Sequence, residues 1–327
     1  MESFKLIEFH RTRDFSNKLN ATFSFVIQNF KSLFKSLLFI AGPPVLIASL
    51  LLSSFISDFF SLGIQSGRGD PEALTGYFTS VNFWLSVAFA FVFFVVSIVV
   101  TTATVYNYLI LYGEKKSNQI EVSEVWERVR NTFWMYLGTT LLIGLLAIAV
   151  YMVLIIPMFV LGAISPFLIF FGVIIFMGGI VYFSVSISLV YVVRAFESNG
   201  FFESLARSMK LIRGKWWSTF GLWMLLSMSV GVVSSLFFIP AYVIMIMQSL
   251  HNLQPNDFQE PSAMMNTIVL VFMTLYYLSQ MVLSCIPSVG LAFQYFNLVE
   301  MKEAKGLMNQ IESFGQPPPA PGQEEHY

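Results

Sequence analysis

Six long apolar runs separated by short polar segments set the pattern of the chain: Leu37–Phe60, Val81–Tyr112, Tyr136–Leu161, Phe167–Val193, Phe220–Met247 and Asn266–Val299. A helix needs roughly 20 residues to cross about 30 Å of hydrocarbon, so each run predicts one membrane span. Between Leu137 and Ile156 no residue is charged and twelve are Leu, Ile or Val, each favouring insertion by roughly 0.3–0.6 kcal/mol at a helix centre. The second and last runs exceed the required length and predict tilt or protrusion. In the first, Gly42-Pro43-Pro44 predicts either a kink or the true start of the helix.

A different periodicity precedes each odd-numbered span. Apolar residues recur there at helical spacing, with polar residues opposite, which predicts helices lying flat at the membrane surface. The first carries Phe15, Leu19, Phe23, Val26, Ile27 and Phe30 against Lys18, Gln28, Asn29 and Lys31. The second, near 120–133, sets Val122, Val125, Trp126, Val129 and Phe133 against Glu121, Glu124, Glu127, Arg128 and Arg130. The third, near 200–213, sets Phe201, Phe202, Leu205, Met209 and Ile212 against Glu203, Arg207, Lys210 and Arg213. An offset of 83 superposes the second unit on the third, pairing Arg130 with Arg213, Trp134 with Trp217, Gly138 with Gly221 and Pro157 with Pro240. The fold expected is therefore all-α and polytopic, six transmembrane helices arranged as three hairpins, each preceded by an interfacial helix. A further amphipathic helix is expected over 300–315, with Met301, Ala304, Leu307, Met308, Ile311 and Phe314 on one face. A disordered Pro-rich tail is expected over 316–327.

Charge adds orientation. Segments 1–36, 113–131, 194–217 and 300–327 hold 6, 4, 5 and 2 Lys or Arg, and the alternate loops hold only Arg68. That asymmetry predicts both termini in the cytoplasm. Composition agrees with lipid as the solvent: of 327 residues, 56% are hydrophobic and only 11% charged. The first 36 residues, with Lys5, Arg11, Arg13, Lys18, Lys31 and Lys35, lack the apolar block of a cleaved signal. One cysteine, Cys285 in an apolar run, excludes a disulfide framework.

The stretch from Glu197 to Trp217, with Glu197, Gly200, Arg207-Ser208, Leu211, Arg213-Gly214 and Trp217 in place, resembles the membrane domain attached to some glycerophosphoryl diester phosphodiesterases and the stand-alone six-helix proteins related to it. Tyr295-Phe296-Asn297-Leu298-Val299-Glu300, then Gly306-Leu307 and Ile311-Glu312, resemble the bacterial stand-alone members. The resemblance implies a bacterial inner membrane as the location. It implies no activity, because the soluble hydrolase domain has no place in this chain.

Candidate chemistry is sparse. His10, His251 and His326 lie in a terminus, a loop and the tail, no zinc, nucleophile-elbow or phosphate-loop motif occurs, and Asp58 is the one carboxylate inside a predicted span. No catalytic residue, cofactor or metal is expected. Two constellations stand out. Arg207, Lys210, Arg213 and Lys215 beside Trp216 and Trp217 are candidate contacts for anionic headgroups or a cytoplasmic protein partner, the simpler role being to fix orientation. Thr101, Thr104 and Tyr108 on span 2, with Tyr277, Gln280 and Ser284 on span 6, are candidate cavity linings, the simpler role being interhelical packing. Few cations per segment, balanced by acids, exclude nucleic acid. The function expected is non-enzymatic, organising the bilayer or scaffolding a complex through surface helices. The alternative is a transporter of a lipid or small molecule.

Overall fold

The computed structural model describes residues 6–67, 71–251, 263–304 and 308, and over these the chain is helical with no strand. Six helical stretches are long and apolar enough to cross a membrane: Phe30–Phe59, Val81–Lys115, Val122–Ile164, Pro166–Glu197, Trp216–Gln248 and Met264–Glu303. The chain is a multi-pass membrane protein. Arg68, residues 305–307 and 309–315 of the expected 300–315 helix and all of the 316–327 tail lie outside the described residues. Met301 belongs to the last spanning helix, which ends where Ala304 turns left-handed.

Chain order shows where sequence chemistry breaks or preserves helix. Helix α1 (Phe15–Gln28) is capped by the Asp14 carboxylate, which accepts the Asn17 N–H at 2.7 Å. After Asn29, α2 (Phe30–Ser36) runs through a π-helical turn, Leu37–Ala41, into α3 (Gly42–Gly67). Pro43 and Pro44 supply no N–H to the carbonyls a turn earlier, and the widened turn keeps the helical path around them. The helical stretch that carries the first span therefore starts at Phe30, ahead of Leu37. A short α4 (Pro71–Thr79) precedes α5 (Val81–Lys115), whose Ser80 cap accepts the Phe83 N–H.

The second expected surface helix is corrected by the structure. Val122–Phe133 is the beginning of α6 (Val122–Ile164), one helix of 43 residues passing through Pro157. At 1.5 Å per residue it is about 64 Å long, well beyond a bilayer's hydrocarbon, so its first turns extend the span. In the third unit the helix does break. Here α9 (Phe201–Ile212) and α10 (Trp216–His251) are separated by Gly214 at φ 81, a conformation without steric cost only for glycine. Offset by 83, Asn131 stands inside α6 where Gly214 makes that corner.

Two other runs divide. The fourth consists of α7 (Ile169–Ile187), interrupted at Ser188-Leu189, and α8 (Val190–Glu197). The sixth, expected as one helix, is α11 (Ala263–Leu283) and α12 (Cys285–Glu303), parted at Ser284. Pro287 accounts for that break, because its ring opposes the carbonyl four residues earlier, at Leu283.

Packing places α12 at the centre. Every residue from Val289 to Val299 is buried, the mark of a helix surrounded on all sides, with α1, α5, α8, α9 and α10 around it. Gly290 permits this: a Cβ there would stand 2.1 Å from a Leu226 methyl on α10. Phe9 of the N-terminal arm sits beneath the same helix, stacked on Phe296 at 4.9 Å and edge-on to Phe293 at 6.0 Å. The remaining spans follow one another laterally, with α7 against α6, then α5, α3, α11 and α10. Contact from α10 back to α7 is sparse. Along the α6–α7 pair Gly172 meets the Met158 backbone, where a Cβ would lie 2.6 Å from its Cα, and Gly179 meets Leu154. Elsewhere these helices expose Leu145, Ile156, Phe159, Phe167 and Phe170, as suits surfaces solvated by lipid.

Candidate functional site

The end of the bundle that carries α1 and α9 gathers most of the candidate chemistry. Helix α8 ends at Glu197, Ser198 turns left-handed at φ 54, and Gly200 starts α9, its N–H donated to the Glu203 carboxylate at 3.2 Å. This corner brings Glu197 to Arg207. The Arg207 Nε donates to both Glu197 oxygens at 3.1 Å, and its two terminal nitrogens bind the two oxygens of Glu303, one at 2.9 Å. Tyr295 donates its hydroxyl to Glu197 at 2.8 Å, and Asn199 donates to the other oxygen at 3.0 Å. The Glu303 hydrogen bonds, then those of Glu197, raise the Arg207 guanidinium further above its ordinary value against the opposing effect of burial. A planar fork satisfied by two carboxylates has little left for a headgroup. Arg207 is thus a strut joining α8, α9 and α12.

The remaining cations are disposed differently. Lys210, Arg213 and Lys215 are exposed, and no ion pair engages them among the described residues. Lys302 donates to the carbonyls of Lys210 (2.6 Å) and Arg213 (3.2 Å), a cation satisfying the C-terminus of α9. Trp216 is half-buried, stacked on Tyr182 of α7 at 5.7 Å and on Phe220 at 5.3 Å, whereas Trp217 is 77% exposed. Beside them an apolar groove of about 740 Å³ runs between Val173, Met177 and Val181 of α7 and Trp216, Trp217 and Phe220 of α10.

On α9 the protein takes up Phe201, Ser204, Ser208, Leu211 and Ile212, leaving Phe202 (75%) and Met209 (51%) as exposed apolar residues. Ser208 donates to the carbonyl of Ser186, just before the α7–α8 break, at 2.8 Å. Helix α1 is also two-faced, and its buried face corrects the expectation for its polar side. Lys18 and Asn29 face protein, while Phe23 and Ile27 are exposed. The Lys18 ammonium donates to Gln294 at 2.7 Å and Ser218 at 2.8 Å, and Gln294 in turn donates to Thr219 at 2.8 Å. Burial, then repulsion from Lys215, push Lys18 down to about 8, with Asp14 opposing.

The two polar stripes do not share these partners. Thr104 back-bonds to the Val100 carbonyl and Tyr108 donates to Asn29 at 3.1 Å, which turns that part of α5 toward the α1–α2 junction. Thr101 is buried and its hydroxyl has no hydrogen-bond partner among the described residues. On α11, Gln280 reaches the Tyr276 hydroxyl at 3.4 Å, Tyr277 is half-buried against Tyr276 at 5.1 Å, and Ser284 donates to the Met281 carbonyl at the α11–α12 break.

A family profile described as a domain of unknown function, DUF8558, matches residues 36–286. The chain belongs to the DUF8558 family. No curated protein and no solved structure matches it. The DUF8558 match contains Glu197, Arg207 and the groove but ends before Gln294 and Glu303 and begins after Lys18, so the two buried polar junctions straddle its limits.

Within the DUF8558 segment, the residues of the Glu197–Trp217 stretch have structural duties. Glu197 and Arg207 pair, Gly200 opens α9, Ser208 bonds across to α7, Leu211 is core, Gly214 makes the corner and Trp217 faces outward. Sequence reasoning missed Lys18, Gln294 and Phe9. A signal existed for one pair: Gln294 and Asn297 in an apolar run require buried partners, and a cation near the N-terminus is one of the few available.

Proposed function

We propose that this protein is a non-enzymatic component of the bacterial inner membrane, with both termini cytoplasmic, which organises the bilayer through amphipathic helices held at the cytoplasmic surface. The observation that carries the reading is the two-sidedness of α1 and α9. One face of each is fixed to α12 or its neighbours by hydrogen bonds and core contacts, while the other presents Phe23, Ile27, Phe202 and Met209. Exposed apolar stripes beside Lys210, Arg213 and Lys215, which have no ion pair among the described residues, suit insertion among anionic headgroups, where each cation contributes about 1 kcal/mol. A protein partner docking on the same cytoplasmic surface is the scaffold form of this proposal.

Three units, each built on a transmembrane hairpin and the first and third preceded by a surface helix, make up the proposed architecture. Burial supports the offset of 83: Val125 and Ser208, Val129 and Ile212, Tyr136 and Thr219, and Thr139 and Leu222 are buried pairs, while Trp126 and Met209, and Trp134 and Trp217, are exposed pairs. The resemblance to the phosphodiesterase-attached membrane domains fits the same reading, because its residues build the α8–α9–α10 corner.

Reconstitution into vesicles containing phosphatidylglycerol tests the proposal. Wild-type protein should change vesicle shape in cryo-electron micrographs, and Ile27→Ser, Phe202→Ser and Met209→Ser combined should abolish the change. Indistinguishable vesicles with the two proteins would overturn it. The transporter alternative is disfavoured by the engagement of Thr104 and Tyr108 away from Gln280. Solute flux lost on Thr101→Leu and Gln280→Leu would reinstate it.

A further inference from the structure

The lateral order of spans leaves one weak seam. Contacts continue from α7 through α6, α5, α3 and α11 to α10, but from α10 back to α7 they are sparse. What joins those two helices near the α9 corner is aromatic: Trp216 stacks on Tyr182 and donates its Nε1–H to the Tyr182 carbonyl at 3.4 Å. The 740 Å³ groove lies in this seam. Its side chains are almost wholly apolar, and Gly178 widens it, since a Cβ there would meet nothing within 4 Å. From Tyr182 to Val173 the α7 wall rises by nine residue steps, roughly 13 Å, close to the thickness of one hydrocarbon leaflet at about 15 Å, half of about 30 Å.

Charge identifies the other part of the occupant. Lys215 precedes Trp216 directly and Arg213 stands at the same corner, both exposed and free of ion pairs among the described residues, unlike Arg207. Lys18, buried with no carboxylate bonded to it among the described residues, adds positive potential near Lys215. An acyl-sized apolar slot whose α10 wall begins at Trp216, one residue after Lys215 and three after Arg213, matches a molecule with an anionic head and a hydrocarbon tail.

We infer that the α7–α10 seam is a binding site for one anionic phospholipid, an acyl chain lying along Met177, Gly178 and Val181 and the phosphate held by Arg213 and Lys215. This rests on the membrane-surface reading above for its orientation, but not on any change in bilayer shape. Arg213 and Lys215 give selectivity for negative headgroups, and the groove gives retention.

Native mass spectrometry of the full chain in neutral detergent, titrated separately with phosphatidylglycerol and phosphatidylcholine, tests the site. Wild type should hold one phosphatidylglycerol more tightly than phosphatidylcholine. Each cation near an anionic group is worth roughly fivefold in affinity, so Arg213→Gln with Lys215→Gln should weaken phosphatidylglycerol by about 25-fold and phosphatidylcholine by much less, because the choline cation offsets the charge of its phosphate. Gly178→Phe should remove retention of both lipids while thermal stability stays at the wild-type value, and if that variant unfolds, Val181→Trp repeats the block. Equal retention of the two lipids by wild type, or phosphatidylglycerol retention unchanged in a folded groove-filling variant, would overturn the inference. Lipid retention as expected with no effect on vesicle shape would remove the bilayer-organising proposal and leave this site standing. The converse would remove the site alone.

Discussion

The ammonium of Lys18 lies 2.7 Å from the side-chain oxygen of Gln294, a partner 276 positions away along the chain. A lysine on an N-terminal helix is thereby fixed to the central helix of the bundle, with Ser218 on a third helix completing the junction. The contact joins helix α1 to the core of the bundle.

The first prediction concerns pH. Lys18 is lowered from 10.5 to about 8 by burial and by Lys215. When docking lowers a lysine's proton affinity, the cost of docking is fully present below the docked value and lifts as pH rises toward the free value. Between about pH 7.5 and 9.5, the thermal stability of wild type should therefore rise relative to Lys18→Met. A difference that stays flat or falls over this interval would show that the ammonium does not lie in the junction.

Arg207 tests the strut. Its side chain is 18% exposed and its carboxylate partners 14% and 29%, between the limits of about 0–1 kcal/mol for surface pairs and about 3–5 kcal/mol for broken buried ones. Arg207→Ala should cost about 2 kcal/mol in detergent unfolding. Arg207→Lys should recover only part, because an ammonium cannot reproduce the fork. Adding Glu303→Gln to Arg207→Ala should cost less than the sum of the two single changes.

Close approach of α6 and α7 is tested at Gly172. A Cβ there would lie 2.6 Å from a backbone atom, which cannot turn aside. Gly172→Val should destabilise by about 1–3 kcal/mol through overpacking. Gly144→Ala, with nothing within 4 Å of the added carbon, should be neutral or slightly stabilising in the same melt.

Gly214 tests the corner between α9 and α10. At φ 81 an alanine is strained, so Gly214→Ala should cost about 1–2 kcal/mol. A nitroxide pair at Ala206 and Met224 should report a broader distance distribution in that variant as the corner loosens. An unchanged distribution and melting temperature would show that the corner is not held by the glycine.

The six apolar runs, the membrane as solvent and the lack of strand among the described residues were already legible in the sequence, because hydrocarbon imposes length and composition residue by residue. Helix ends could be read only in part. Pro43, Pro44 and Pro287 announce local trouble, yet whether a proline is absorbed by a π turn, passed over as at Pro157 in α6, or made a break depends on which neighbours satisfy the freed carbonyls. Periodicity picked out the apolar positions of α1 and α9 but not which of them the protein buries, as it does Phe201 and Ile212, nor what the polar sides meet. Only tertiary structure decided that Lys18 is buried, that Arg207 is a strut and that Lys215 is exposed, because an ionised group's role depends on partners brought from tens to hundreds of residues away.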